Sequence, residues 1–256
     1  MKKPPLVALL CAGSFTDSAI PRFRGLAARL GPVKAASLRL ASRFANVLRA
    51  GHPVNNYDEF PDCQLVIITV PDREAATAIK ELAQTGMDWN GKAVVLLSDR
   101  LESSELAALS DLGASTATLC AAAGFDGRLL IAEGDKMAIR QIRPLIEGGH
   151  AKLLSLPAGQ KKFYLAACVC TGPLLASLLL CTSECLKFAG FAPSDAATIL
   201  QVQIDKMTRS FAAGGSRRVF QDPAEVQRYM AELSAQHGRI AELFELAKAP
   251  LRPVKG

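Results

Sequence analysis

The sequence has few aromatic residues, few histidines and no cluster of basic residues. Aromatic residues make up 6% of the chain, and its three histidines are His52, His150 and His237. The formal net charge is +6, but the longest basic runs are only pairs of residues. A nucleic-acid-binding surface usually gathers its positive charge on one face, with aromatic side chains between the cations. We therefore expect no nucleic-acid partner, whereas a small ligand that carries phosphate fits the same charge balance.

The cysteine pattern is neither that of a disulfide framework nor that of a metal centre. The chain has seven cysteines, an odd number, and they lie within apolar segments. Cys181 and Cys185 are neighbours on one face of a helix, but no set of histidine or acidic ligands accompanies them. We expect the cysteines to be small, buried, apolar side chains, and we expect no metal site.

The sequence also lacks a clear leader or membrane-spanning segment. A basic tip precedes an apolar run at the N-terminus, but Pro4 and Pro5 interrupt the approach and the run is about seven residues long, which is short for a signal peptide. The apolar stretch 165–181 contains Gly172-Pro173 and is at the short end for a membrane span. We expect a cytoplasmic protein with no membrane partner, in which residues 165–181 form a helix that is buried on all sides, with a subunit interface as one way to cover it.

The first part of the chain alternates segments typical of strands with segments typical of helices. Besides a short edge strand near Pro53, continuous apolar runs predict buried strands at 6–10, 33–37, 63–70, 92–98, 117–121, 128–134 and 152–156. Helical spacing predicts helices at 19–30, 39–50, 72–85, 102–113 and 135–147. This alternation indicates βαβ units, and right-handed crossovers then give an α/β fold with a Rossmann-like, doubly wound, mostly parallel sheet.

After Pro157 the pattern changes to helices alone. Three further segments have helical spacing: 160–190, 194–213 and 222–248. We therefore predict two domains, a Rossmann-like domain over residues 1–157 and an all-α domain over residues 158–256. The long apolar helix needs a partner surface, so we expect the second domain to form a homodimer.

The stretch LVALLCAGSFT carries one glycine where a dinucleotide-binding loop normally carries three. In a Rossmann sheet the pyrophosphate lies at the turn from the first strand into the following helix, and the glycines of GxGxxG shape that turn. Gly13 can be the first or the middle glycine of the motif. The strand length favours the middle position, in which Cys11 and Thr16 replace the other two. The expected contacts with a bound cofactor are Gly13, Ser14 and Phe15.

The second predicted strand ends without the acidic residue that is typical of NAD-binding proteins. Such an acid binds the ribose hydroxyls of NAD, whereas an arginine accommodates the 2′-phosphate of NADP. Here the stretch AASLRLASR supplies Ser37, Arg39 and Arg43 and no acid. The pattern favours NADP as the cofactor, although both arginines also suit an ordinary solvated helix face. The turn at Val70-Pro71 is expected on the nicotinamide side of the cofactor, or is simply the end of a strand.

Five segments in this order resemble the Rossmann-like proteins that carry a DUF2520 C-terminal domain: CAGSFT, SLR, CQLVIITVPD, IAEGD (131–135) and KKFYLAACV (161–169). These proteins are relatives of the 6-phosphogluconate dehydrogenase and ketopantoate reductase group. The resemblance covers nearly the whole chain and implies an NADP-dependent oxidoreductase whose helical domains pair. Its most specific elements are VPD, EGD and the K-x-x-Y helix start formed by Lys161 and Tyr164.

The chain departs from that family at positions that bear on chemistry. CAGSFT stands where the family has a loop like GAGRVG, and TLCA stands where it usually has Ser-Leu-His-Pro. The family's helix after K-x-x-Y holds a histidine and later a Ser-Asn pair. The residues at those positions here are Leu165, Thr171 and Gly172.

These departures leave no assigned catalytic residue. No histidine lies at a predicted strand end, and Lys161 remains the best acid–base candidate, with a solvated lysine at a helix start as the alternative. A small-molecule substrate is expected between the domains, near Lys161 and the Val70-Pro71 turn. Two functions stay open: an NADP-binding oxidoreductase-like protein of unknown substrate, and a catalytically inactive dimeric binding or scaffold protein.

Overall fold

The computed structural model describes residues 6–12, 23, 25–122, 129–147 and 151–214. Predictions for the remaining positions, among them helix 222–248 and residues 19–22 and 24 of helix 19–30, lie outside the described residues. Among the described residues, eight strands form one sheet, which helices flank.

The strands are β1 (Val7–Cys11), β2 (Leu30–Lys34), β3 (His52–Val54), β4 (Leu65–Thr69), β5 (Ala93–Leu97), β6 (Ser115–Ala121), β7 (Leu129–Gly134) and β8 (Lys152–Leu156). The α-helices are α1 (Leu38–Leu48), α2 (Asp72–Ala83), α3 (Ala107–Ser110), α4 (Lys136–Glu147), α5 (Lys161–Val169), α6 (Leu175–Phe188) and α7 (Pro193–Gly214). Within the described ranges, 3₁₀ turns occur at Phe60–Asp62 and Ser103–Leu106, and a π-helical turn at Cys170–Leu174 joins α5 to α6.

The strand order is β3-β2-β1-β4-β5-β6-β7-β8. The pairs from β3 to β6 are parallel, β7 is antiparallel to β6, and β8 is parallel to β7. The predicted Rossmann-like, mostly parallel α/β fold with a helical region after it is therefore confirmed. The chain reverses its direction of strand addition between β1 and β4, and ligands of such sheets bind beyond the carboxyl ends of the strands at this point.

The core consists of two layers, one on each face of the sheet. On one face, apolar side chains of α1 and α4 pack against the strands, and on the other face those of α2 and α3 do so. Neighbouring residues of β4 supply opposite layers, Ile67 to the first and Ile68 to the second. Helices cover both faces, so the central strands are apolar without interruption, as the continuous runs predicted.

Strand β2 begins earlier than predicted. Gly31-Pro32 indicated the end of a helix, but both residues belong to β2, and residues 25–29 form turns rather than the end of helix 19–30. The pairing shifts between Val7 and Leu9, so that Ala8 of β1 faces both Gly31 and Pro32. This bulge accommodates a proline inside a paired strand, a place that its missing N–H normally forbids.

By its contacts the chain divides into two compact units, Met1–Ala167 and Cys168–Gly256. The division falls within α5 rather than at Pro157, because Lys161 and Tyr164 pack in the first unit. In the second unit α6 and α7 are in contact with each other. Large apolar side chains of α6, α7 and the π-helical turn before α6 are exposed within this single chain, so the chain alone does not bury the helix on all sides. Examples are Leu174, Leu180, Phe188, Val202 and Phe211.

Candidate functional site

The candidate site is the crevice expected beyond the carboxyl ends of β2, β1 and β4, and Cys11 is the last residue of β1. Cys11 is buried, and its Sγ lies 3.3 Å from the main-chain oxygen of Lys34 at the end of β2. Burial raises the pKa of the Cys11 thiol to about 12, although the positive charge of Lys34 acts in the opposite direction. Cys11 is thus a protonated packing group. The predicted contacts Gly13, Ser14 and Phe15 lie outside the described residues.

The start of α1 is a positively charged surface next to the end of β2. Ser37 is the N-cap, and its Oγ accepts a 3.3 Å hydrogen bond from the main-chain N of Leu40. The first turn of the helix contains no acidic residue, so no negative side chain in that turn offsets the positive end of the helix dipole. Arg39 and Arg43 are exposed on this helix, and within the described ranges neither forms an ion pair.

The Val70-Pro71 turn leads from β4 into α2. Both residues are half-buried, and Pro71 is the N-cap, so that Asp72 is the first helical residue. The Asp72 carboxylate is exposed, and its Oδ1 accepts a 2.7 Å hydrogen bond from the hydroxyl of Ser98. Because β2, β1 and β4 are adjacent and parallel, this turn and the start of α1 lie at the same edge of the sheet.

Lys161 is not the solvated lysine that the sequence suggested as an alternative. Its side chain is 1% exposed, and its Nζ donates to the main-chain oxygens of Ser98 and Leu101 at 2.6 and 2.7 Å. A third contact, 3.4 Å long, goes to the hydroxyl of Thr118. Burial lowers the pKa of the Lys161 ammonium, and the negative charge of Glu133 is among the influences that oppose this shift. These three acceptors match the three protons of a lysine ammonium.

Glu133 is a second buried charged residue beside Lys161, and the sequence reasoning assigned it no role. Its carboxylate accepts hydrogen bonds from the main-chain N and the hydroxyl of Ser103, both at 2.8 Å. It also accepts from the main-chain N of Gly159 at 2.7 Å and from the hydroxyl of Thr118 at 3.1 Å. The sequence does carry a signal for this role: Glu133 lies inside the apolar strand LLIAEG, and a buried acid needs hydrogen-bond donors around it.

The other two residues of the EGD motif hold β7 against β6. Gly134 has φ 130°, and a Cβ there would lie 2.5 Å from the main-chain oxygen of Thr116. The main-chain N of Asp135 donates to that oxygen at 2.8 Å, and its Oδ2 accepts from the N of Thr116 at 2.9 Å. In this chain, all three residues of the motif therefore have structural contacts.

The histidines supply no acid or base at the described edge of the crevice. His52 lies at the start of β3 on the surface, where its Nε2 is 2.6 Å from Oε2 of Glu59. His150 and His237 lie outside the described residues.

Comparison with known proteins gives structural matches alone: no protein-family model and no curated protein matches the chain. A protein of Bacteroides fragilis to which NADP oxidoreductase activity has been attributed is 13% identical, covers 97% of both chains and superposes with a TM-score of 0.72. The imine reductase of Myxococcus stipitatus in complex with NADP⁺ is 16% identical, with 96% of this chain and 95% of that chain covered and a TM-score of 0.61. A protein of Thermotoga maritima is 17% identical over 96% and 100% of the two chains, with a TM-score of 0.63.

At these identities the likeness concerns the fold. The similarity extends over nearly the full length of each protein, so it includes the helical region as well as the sheet. The chain therefore shares with these proteins a Rossmann-like α/β fold followed by a helical region.

Proposed function

We propose that this protein binds NADP(H) at the carboxyl edge of its sheet and belongs to the oxidoreductase-like proteins that carry a DUF2520 domain. One observation carries the proposal. The chain leaves β2 without an acidic residue and enters a helix whose exposed Arg39 and Arg43 have no acidic partner among the described residues. An acid would bind ribose hydroxyls, whereas guanidinium groups bind a phosphate.

The residues present fit the adenosine 2′-phosphate of NADP. The amides of the first turn of α1, the Ser37 hydroxyl and the Arg39 guanidinium are donors of the kind that phosphate oxygens accept. Cys11 as the last strand residue also fits the arrangement in which Gly13 is the middle glycine of the loop. When bound, the reduced cofactor supplies a hydride, and the protein's part is to hold and orient it.

A second candidate function, a catalytically inactive binding or scaffold protein, is favoured by the environment of Lys161. This lysine was the best acid–base candidate, yet its Nζ is buried and its protons face Ser98, Leu101 and Thr118. A general acid must reach the atom that it protonates. Binding of the cofactor is compatible with both candidates, which differ in turnover of a small-molecule substrate.

We also propose that the second unit pairs with a second copy of the chain. One helical stretch among the described residues, Lys161–Phe188, is long and apolar enough to cross a membrane by length and composition, with a mean hydropathy of 2.0 in its most apolar window and 0% of that window buried. A helix that is buried in the core of a protein assembly passes the same test of length and composition. Leu180 and Phe188 are each 69% exposed, and such an apolar surface needs a partner. A homodimer provides that partner without a membrane.

The test is a thermal-shift titration of the purified protein with NADPH, NADP⁺, NADH and NAD⁺. A ligand that binds the folded state alone raises the melting temperature in a saturable manner. We expect a saturable shift with NADPH that exceeds the shift with NADH. If none of the four nucleotides shifts the transition at millimolar concentration, the cofactor proposal is wrong and the scaffold function remains.

A further inference from the structure

A buried lysine holds the loop that follows β5. The ammonium of Lys161 donates to two main-chain oxygens of this loop, those of Ser98 and Leu101. Inside the loop, the Ser98 Oγ accepts from the main-chain N of Arg100 at 3.1 Å and of Leu101 at 2.9 Å. Residues 98–101 therefore form a closed turn whose two ends are joined through Lys161.

The same serine links this turn to the crevice. The Ser98 hydroxyl donates a hydrogen bond to the carboxylate of Asp72, which directly follows the Val70-Pro71 turn. Lys161 is thus connected through Ser98 to the first residue of α2. These contacts lead from a buried cation to an exposed carboxylate at the edge where we place the cofactor.

The start of α5 is itself fixed from several sides. Glu133 accepts from the main-chain N of Gly159, and its other oxygen accepts from Thr118, the hydroxyl that Lys161 contacts. The main-chain N of Lys162 donates to Oε1 of Glu102 at 2.9 Å. The main chain on both sides of Lys161 is therefore held by hydrogen bonds. A residue needs such support in order to fix the position of another segment.

We propose that Lys161 is a positioning residue that acts through Ser98 and Asp72 to set the shape of the Val70-Pro71 side of the cofactor crevice. It is not a proton donor to substrate. The consequence for the cofactor rests on the proposed function, whereas the consequence for the loop 98–101 does not.

Accessibility to a reagent distinguishes the two roles of Lys161 in the unmodified protein. A proton donor must be reachable from the site, whereas a positioning lysine with its ammonium enclosed is not. Lys162 is the internal control because it is adjacent and exposed. Brief acetylation of the folded protein followed by peptide mass spectrometry should modify Lys162 at least about tenfold faster than Lys161, as expected for a group reached by opening of the structure alone. Equal rates overturn the proposal.

Amide hydrogen exchange tests the connection itself. In Lys161→Met we expect faster exchange in residues 98–102 and 70–73, whereas Lys162→Met should exchange like the wild type. Asp72→Ala removes the last link and should speed exchange at 70–73 alone. If Lys161→Met does not fold, Ser98→Ala replaces it, because Ser98→Ala keeps the buried lysine and its main-chain acceptors. Unchanged exchange at 70–73 in both Asp72→Ala and the folded upstream variant contradicts the proposal.

Nucleotide binding separates this inference from the proposed function. We expect Lys161→Met and Asp72→Ala each to raise the Kd for NADPH about fivefold, which corresponds to about 1 kcal/mol. Because both residues act through one chain of contacts, the double variant should bind about as weakly as the weaker single variant. If the wild type binds no NADPH but the variants show the expected changes in exchange, the cofactor site is refuted and the positioning of the loop is not. Normal binding by Lys161→Met with unchanged exchange refutes the positioning role.

Discussion

The sulfur of Cys11 lies 3.3 Å from the main-chain oxygen of Lys34, so the last residue of β1 contacts the last residue of β2. In the arrangement with Gly13 as the middle glycine, this thiol stands where the loop motif has its first glycine, and it packs between the two strand ends. The contact places a protonated thiol, with a pKa of about 12, in the sheet core beneath the proposed cofactor site.

The buried thiol predicts a loss of stability at alkaline pH. From pH 9 upward the unfolded chain releases the Cys11 proton, whereas the folded chain keeps it up to about pH 12. The folded state thus binds more protons in this window. Relative to Cys11→Ala, the wild-type free energy of unfolding should fall by about 1 kcal/mol per pH unit. Urea unfolding followed by the fluorescence of Trp89, the single tryptophan, measures this difference. Cys170→Ala, which alters an exposed thiol, is the control; identical pH slopes for wild type and Cys11→Ala would contradict the prediction.

Gly134→Ala should destabilise the first unit by at least about 2 kcal/mol, because the new Cβ meets the Thr116 oxygen and the positive φ is strained for alanine. Gly86→Ala is a matched control. Gly86 also has a positive φ, 70°, but a Cβ there meets nothing within 4 Å, so a loss of about 1 kcal/mol is expected from the strained backbone alone. Urea unfolding of both variants gives the comparison, and equal losses would show that the approach to Thr116 is not close.

Glu133→Gln should also destabilise the protein, by about 3 kcal/mol, since an amide has one acceptor oxygen and its NH₂ group faces buried donors. Glu105→Gln makes the same chemical change at an exposed position of the 3₁₀ turn Ser103–Leu106 and should stay within about 0.5 kcal/mol of the wild type. Urea unfolding of both variants and of the wild type measures these differences in the free energy of unfolding. A Glu133→Gln variant as stable as Glu105→Gln would mean that the carboxylate is not needed.

The strands could be predicted because each carries its signal locally. β4 and β5 are continuous apolar runs, and Val70-Pro71 and Ser98 follow them, so the sequence predicts their ends to within a few residues. β2 was misplaced for an equally physical reason. Gly31 and Pro32 disfavour a paired strand, and the bulge opposite Ala8 that accommodates them depends on the neighbouring strand.

The network around Lys161 could not be predicted from local signals. Lys161 and Ser98 are 63 residues apart in sequence, and a lysine at the start of a helix is usually solvated. Lys162 next to it has the expected exposure, so nothing in the local pattern distinguishes the two lysines. Their difference arises from the loop after β5, whose Ser98 and Leu101 supply two main-chain oxygens to the Lys161 ammonium.

Substitution of the exposed apolar surface of α6 should separate the proposed homodimer. Leu180→Glu places a charge in the interface, and the mass by light scattering at micromolar concentration should fall from that of two chains to that of one. Val47→Glu changes an exposed apolar residue of α1 and should leave the dimer intact. A wild-type protein that is monomeric at these concentrations contradicts the dimer proposal, and its flotation with lipid vesicles would indicate a membrane partner instead.

The central claim concerns Arg39 and Arg43 of α1, which have no acidic partner among the described residues. The ratio of the Kd for NADH to that for NADPH tests it most directly. Calorimetric titration should give a wild-type ratio of at least about 10, and Arg39→Glu, which places an acid beside the ribose, should lower it to about 1 or below. Arg140→Glu makes the same charge change on α4 and should keep the wild-type ratio. A wild-type protein that binds NADH as tightly as NADPH, or an Arg39→Glu variant that keeps the preference, would contradict this account of the site.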